Sequence, residues 1–140
     1  MTMFVAFLFM QFKIKPKNSS LIDNVFKWLD FEMINQPQYD VKNIKIALGE
    51  VLQNIIRHGY KNDLNEENFI DIKCQQDQDR LTFVLRDYAE PFDPALFLNK
   101  KFSPSEVGHM GLSIIRKLTD EFSIKPLQDG NETKLVFKIK

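Results

Sequence analysis

Glu50, Asn54 and His58 follow one another at intervals of four residues. A helix turns once in about 3.6 residues, so the three side chains fall near one stripe, beside the helix's apolar face. A carboxylate and an amide at this spacing can serve one divalent ion together. The amide oxygen is a neutral hard ligand, and Mg2+ keeps several waters while taking phosphate oxygens. The carboxylate is then free to accept a proton from a water or hydroxyl. The same spacing also occurs on ordinary solvated helix faces, and His58 before Gly59 also suits the negative end of a helix dipole.

Two further segments carry chemistry. Asp87 directly follows the strand-like run ending Leu85-Arg86. At a strand end its carboxylate can accept a hydrogen bond from an exocyclic amine such as that of adenine, although Asp is also common in turns for local reasons. Two prolines stiffen the exit from that strand, Glu90-Pro91-Phe92-Asp93-Pro94. Further on, Gly108-His109-Met110-Gly111 precedes an apolar helix predicted to begin near Gly111. Glycines let a backbone approach a ligand, and a helix N-terminus favours phosphate, but Gly-x-x-Gly can equally be a turn and a cap. The chain has neither a GxxxxGK[ST] loop nor a GxGxxG fingerprint.

The elements that must position these residues follow from periodicity. Gln11–Lys15 alternates as a first strand, and Asn18, Ser19 or Ser20 can cap a helix using Leu21, Ile22, Val25, Phe26 and Leu29. The clearest helix runs from about Asp40 to His58, with apolar positions at Ile44, Leu48, Val51, Leu52 and Ile55 and a stop at Gly59. Strands are predicted over 69–75, 81–86, 122–126 and 133–139, with Gln128-Asp129-Gly130-Asn131 as a turn. Together with three helices these predict an α/β (α+β) two-layer sandwich: a mostly antiparallel mixed sheet covered on one face by helices. The thirteen phenylalanines sit mostly at inward positions, and Trp28 reads either as a partner-facing anchor or as a half-buried packing residue.

A chain of 140 residues fits one domain. Lys plus Arg and Asp plus Glu number 19 each, and with no basic cluster a direct nucleic-acid partner is not expected. The single cysteine, Cys74, reads as a buried core thiol in a reducing, cytoplasmic compartment. The apolar run Phe4–Met10 is far shorter than the ~20 residues that span a bilayer, so no membrane partner is expected. Residues 1–10 are therefore set apart as an extension, either an extra edge strand or a segment upstream of a true start at Met10, with the domain proper at 11–140.

In their order along the chain, the three segments resemble the ATP-binding domain shared by gyrase, the chaperone Hsp90, sensor histidine kinases and the DNA-repair protein MutL. Within that superfamily the chain is similar to the short anti-sigma-factor serine/threonine kinases, from Gln11 to its end. The resemblance implies a histidine-kinase-like ATPase fold with ATP and Mg2+ as cofactors. Leu48–Tyr60 would be the first nucleotide motif, with Glu50 the general base, Asn54 the Mg2+ ligand, and Arg57 and His58 near the phosphates or a partner. Asp87–Pro94 would be the second, with Asp87 on the adenine amino group and Ala89 and Phe92 among the nucleotide-binding residues. Gly108–Lys117 would be the third, bringing Gly108, His109, Met110, Gly111 and Leu112 to the phosphate end. Thr133 would place a hydroxyl near the adenine.

The family prefers glycine where this chain has Ala89. If that position needs positive φ, alanine costs ~1 kcal/mol; if glycine admits the purine, the methyl narrows the site. His109 likewise stands where a second glycine is frequent. The resemblance implies a homodimer that sequesters a sigma factor and phosphorylates its antagonist protein. The alternatives are a regulatory binding module without transfer, and a relative of sensor kinases acting in histidine phosphorelay.

Overall fold

In the computed structural model, which describes residues 6–13, 20–34, 36–61, 68–77, 79–92 and 107–139, alternation of apolar residues builds one sheet. Its strands are β1 (Ala6–Lys13), β2 (Phe69–Gln76), β3 (Arg80–Asp87), β4 (Glu121–Leu127) and β5 (Gly130–Lys138). They lie in the order β1-β2-β3-β5-β4, and every described pairing is antiparallel. Ile70, Ile72 and Cys74 of β2 and Leu81, Phe83 and Leu85 of β3 are buried at every second position, and Thr133, Leu135 and Phe137 of β5 keep that phase, with Val136 buried between them as well. That period of two is what a strand with one covered face requires.

Among the described residues three α-helices supply the cover: α1 (Ser20–Met33), α2 (Val41–Asn54) and α3 (Val107–Leu118). Val25 and Leu29 of α1, Ile44, Leu48 and Leu52 of α2, and Ile115 of α3 join the strand residues in a single core. Asp40 starts α2 by accepting a hydrogen bond from the Asn43 amide at 3.2 Å. Phe83 centres the core, with Trp28 and Phe137 edge-on to it at 6.4 and 5.9 Å between ring centroids. Trp28 is therefore the half-buried packing residue, and Cys74 is the buried thiol expected, its pKa pushed up to about 12 by burial.

The architecture is the predicted two-layer sandwich, but several element boundaries move. The first strand begins at Ala6 rather than Gln11: Ala6–Met10 pair with Gln76–Ile72, so part of the apolar run is itself edge strand. Lys15, Asn18 and Ser19, together with the segment from 93 to 106, lie outside the described residues. Helix α3 begins at Val107, four residues before Gly111. β5 begins at Gly130, so Asn131 belongs to a strand and not to a turn. The helix of the first motif changes character after Asn54 and continues as a π-helical turn, Ile55–Gly59, closed by Tyr60 N donating to Ile55 O at 2.8 Å.

Candidate functional site

A cavity of about 470 Å³ opens between the helical layer and the end of the sheet, within the ~300–1,000 Å³ usual for small-molecule sites. Asn54 of α2 and His58 of the π-turn line it on the helix side. Asp87, Asn131 and Thr133 line it from the ends of β3 and β5, and Phe92 from the turn that follows β3. Apolar walls come from Leu112 and Ile115 of α3 and from Phe122 and Ile124 of β4. A widened π-turn recurs at functional sites because it re-aims side chains within a helix. Here it carries His58, which is exposed, to the cavity that Asn54 also lines.

Glu50 does not line the cavity, but it stands at the point where α2 meets α3. A β-carbon added to Gly111 would lie 2.8 Å from Glu50 Oε2 and 3.5 Å from Asn54 Oδ1. The expected general base and the expected Mg2+ ligand therefore flank one glycine of the third motif. Glycine within a helix costs about 1 kcal/mol relative to alanine, and the space it leaves here is filled by the Glu50 carboxylate. The expected loop of two glycines before the helix is corrected: Gly108 and Gly111 both lie inside α3. The first turn of α3 itself, whose N–H groups have no partners within the helix, takes the place of that loop. Gly108, His109 and Met110 are placed there by their backbone.

Asp87 is almost fully buried. Its Oδ1 accepts from Ala89 N and from Asn131 Nδ2, each at 3.0 Å. Burial nevertheless dominates and raises the pKa of the carboxyl above its ordinary value, more than these two bonds and Arg86 lower it. The turn after Asp87 is anchored from the other side by Tyr60. Its hydroxyl donates to Phe69 O at 2.7 Å and accepts from Tyr88 N at 2.9 Å, and burial pushes its pKa up to about 12.

Ala89 adopts no positive φ, so the strain considered for alanine is absent. A β-carbon on Gly59 would lie 3.1 Å from the Ala89 methyl. That methyl thus faces the end of the π-turn, and Ala89 is not among the residues lining the cavity. Arg57 is exposed and does not line it either. Asn131 and Tyr60 had no role in the sequence reading. Asn131 sat in a run that reads as a turn, and the only signal for Tyr60 was a bulky hydroxyl just beyond the helix end. Among the described residues no group of three or more His, Cys, Asp or Glu could hold a metal unaided. The donor set suits a cation that brings its own phosphate oxygens to the Asn54 amide.

The fold and this cavity define a nucleotide-binding domain of the histidine-kinase-like kind. The family model described as the histidine kinase-like ATPase domain matches residues 20–137, and the chain belongs to that family. It is similar to the serine-protein kinase RsbW of Bacillus cereus, 31% identical over 108 residues, which covers 71% of this chain and 64% of that protein. The corresponding figures for RsbW of Bacillus subtilis are 29% over 97 residues, 61% and 58%. The chain therefore spans a little under two thirds of the curated relatives it matches. Among solved structures, the RsbU and RsbW domains of a Mycobacterium tuberculosis protein align over 94% of this chain and 32% of theirs, with a TM-score of 0.58 at 14% identity. The mycobacterial sensor histidine kinase MprB aligns over 95% of this chain and 99% of its own, with a TM-score of 0.55 at 12% identity. At such identities these two establish the fold alone. No described helix is long and apolar enough to cross a membrane.

Two outcomes test this geometry. A carboxyl whose folded pKa is raised contributes stability that is present below its unfolded value of 3.8 and is lost as pH rises through the folded value. Asp87→Asn keeps the Oδ1 acceptor and removes the titration. Urea unfolding should show less loss of stability between pH 4 and pH 7 than in wild type, and no penalty at pH 7. Separately, Gly59→Ala should cost about 1–3 kcal/mol by overpacking, and adding Ala89→Gly should return part of it. Strict additivity in thermal denaturation would place the methyl elsewhere.

Proposed function

We propose that the chain is an ATP-binding serine/threonine protein kinase domain that transfers phosphate from ATP to a small antagonist protein and, in its other state, holds a sigma factor. The observation that carries this reading is the meeting of Glu50 and Asn54 at Gly111, beside a cavity whose far wall holds Asp87. Membership of the ATPase family and the similarity to serine-protein kinase RsbW support it.

The chain's own groups divide the work. Asp87 accepts from the exocyclic amine of adenine, Thr133 lends a hydroxyl beside the base, and Phe92 and the apolar walls exclude water from it. The first turn of α3 and His58 receive the phosphates, and the Asn54 amide oxygen is the metal ligand. Mg2+ bound there with the phosphates would offset the charge of the transferring group. Glu50 accepts the proton of the attacking serine or threonine hydroxyl as its oxygen bonds the γ-phosphorus and the bond from that phosphorus to the β–γ bridging oxygen breaks, with ADP as the leaving group. Arg57, whose exposure supports a contact outside the cavity, meets the protein substrate. The same similarity is the basis for proposing a cytoplasmic homodimer.

Calorimetric titration with MgATP and transfer of labelled phosphate to the antagonist separate these roles. Asn54→Ala should weaken MgATP binding at least about 10-fold. Glu50→Gln should bind within about threefold of wild type and transfer phosphate about 10²–10⁴-fold more slowly. Normal transfer by Glu50→Gln would remove the general base from the account. Partner binding indifferent to ATP, with no transfer by wild type, would favour a regulatory module without kinase activity.

A further inference from the structure

Asn131 belongs to none of the three motifs, yet it holds the cavity's buried carboxylate. It stands directly opposite Asp87 in the β3–β5 ladder. Opposed residues of antiparallel strands have β-carbons about 4.5–5.5 Å apart, close enough for two short side chains to bond without a bridging water. Nδ2 of Asn131 donates to Asp87 Oδ1 at 3.0 Å and to Glu90 O at 3.2 Å, while Oδ1 accepts from Phe92 N at 2.7 Å. These bonds engage both faces of the amide and fix its orientation. Turning it over would set oxygen against the Asp87 carboxylate and NH2 against the Phe92 amide.

The consequence falls on Asp87. Both hydrogen bonds described to its carboxylate, from Asn131 and from Ala89 N, fall on Oδ1. A carboxylate held by one oxygen cannot rotate freely, which leaves Oδ2 as the acceptor open to a ligand in a residue that lines the cavity. We propose that Asn131 is the positioning residue for base recognition: by holding Oδ1 it aims Oδ2 and selects a nucleobase that presents an amino group there over one that presents a carbonyl. This rests on the nucleotide-binding reading of the same cavity. A carbonyl in that place would face an acceptor it cannot satisfy, and a buried polar group left unpaired costs more than a weakened contact. Asn131 also braces the segment from Glu90 to Phe92, which carries part of the wall. A purely structural brace would serve every nucleotide alike, whereas aiming Asp87 serves only the amino-bearing base.

The test compares MgATP with MgITP, in which a carbonyl replaces the amino group, by calorimetry on the full chain. Wild type should prefer MgATP at least about 10-fold. In Asn131→Ala the preference should fall to within about threefold, with the loss borne by MgATP and MgITP affinity little changed. In an Asp87→Asn background, adding Asn131→Ala should cost no further MgATP affinity, because Asn131 acts through Asp87. Asn131→Asp is isosteric, keeps an acceptor for Phe92 N and loses the donor to Asp87; it should lose the preference likewise, and it carries the test if the alanine variant does not fold. Retention of the full preference in either variant, or equal weakening of both nucleotides, would overturn the proposal while leaving the nucleotide site standing. A wild type that binds neither nucleotide would end the underlying reading and this proposal with it.

Discussion

A carboxylate buried at the end of a sheet is expensive unless fixed donors replace the water it has lost. Asp87 meets that condition through two donors on one oxygen, Asn131 from the neighbouring strand and the Ala89 amide from its own turn. Much of the local structure follows from keeping those donors in place. The β3–β5 register must set Asn131 opposite Asp87, the turn after β3 must double back far enough for Ala89 N to reach, and Tyr60 must tie that turn to the helical layer. The carboxyl remains raised in pKa in spite of its donors, so the site is held at some cost to stability. Such a cost is expected of a group kept for a ligand rather than for the fold.

A second constraint acts on the other side of the cavity. Helices α2 and α3 approach closely enough that the Glu50 carboxylate occupies the space a side chain at position 111 would need. Glycine there trades helix propensity for proximity. The π-turn that ends the first motif makes a comparable trade at Gly59, where the missing β-carbon leaves room for the Ala89 methyl. The departure from glycine at position 89 is thus accommodated by glycine at 59, which itself lines the cavity. The helix that ends at Gly59 and the turn after β3 are fitted to each other.

The parts of this arrangement legible in the sequence were those written in local spacing. Intervals of four put Glu50 and Asn54 on one helix, alternation placed the strands, and the end of a strand marked Asp87. What was not legible depends on contacts between distant residues or on small helical distortions. Asn131 interrupts the apolar alternation of its strand and follows a glycine, so it reads as turn; its role is set by a partner 44 positions away. The π-turn leaves no mark in a pattern of threes and fours, and α3 begins at Val107, ahead of a Gly-x-x-Gly run that reads as a turn. The first strand was placed late because an unbroken apolar run carries no period.

We propose that the cavity holds an adenine nucleotide with its base on Asp87 and its phosphates at the start of α3. A crystal structure of the chain with Mg2+ and a non-hydrolysable ATP analogue tests it most directly. The adenine amino nitrogen should lie within hydrogen-bond distance of Asp87 Oδ2, about 3 Å, with the metal on Asn54 Oδ1 and Glu50 clear of the metal. A nucleotide bound elsewhere, or one whose base lies away from Asp87, would contradict it.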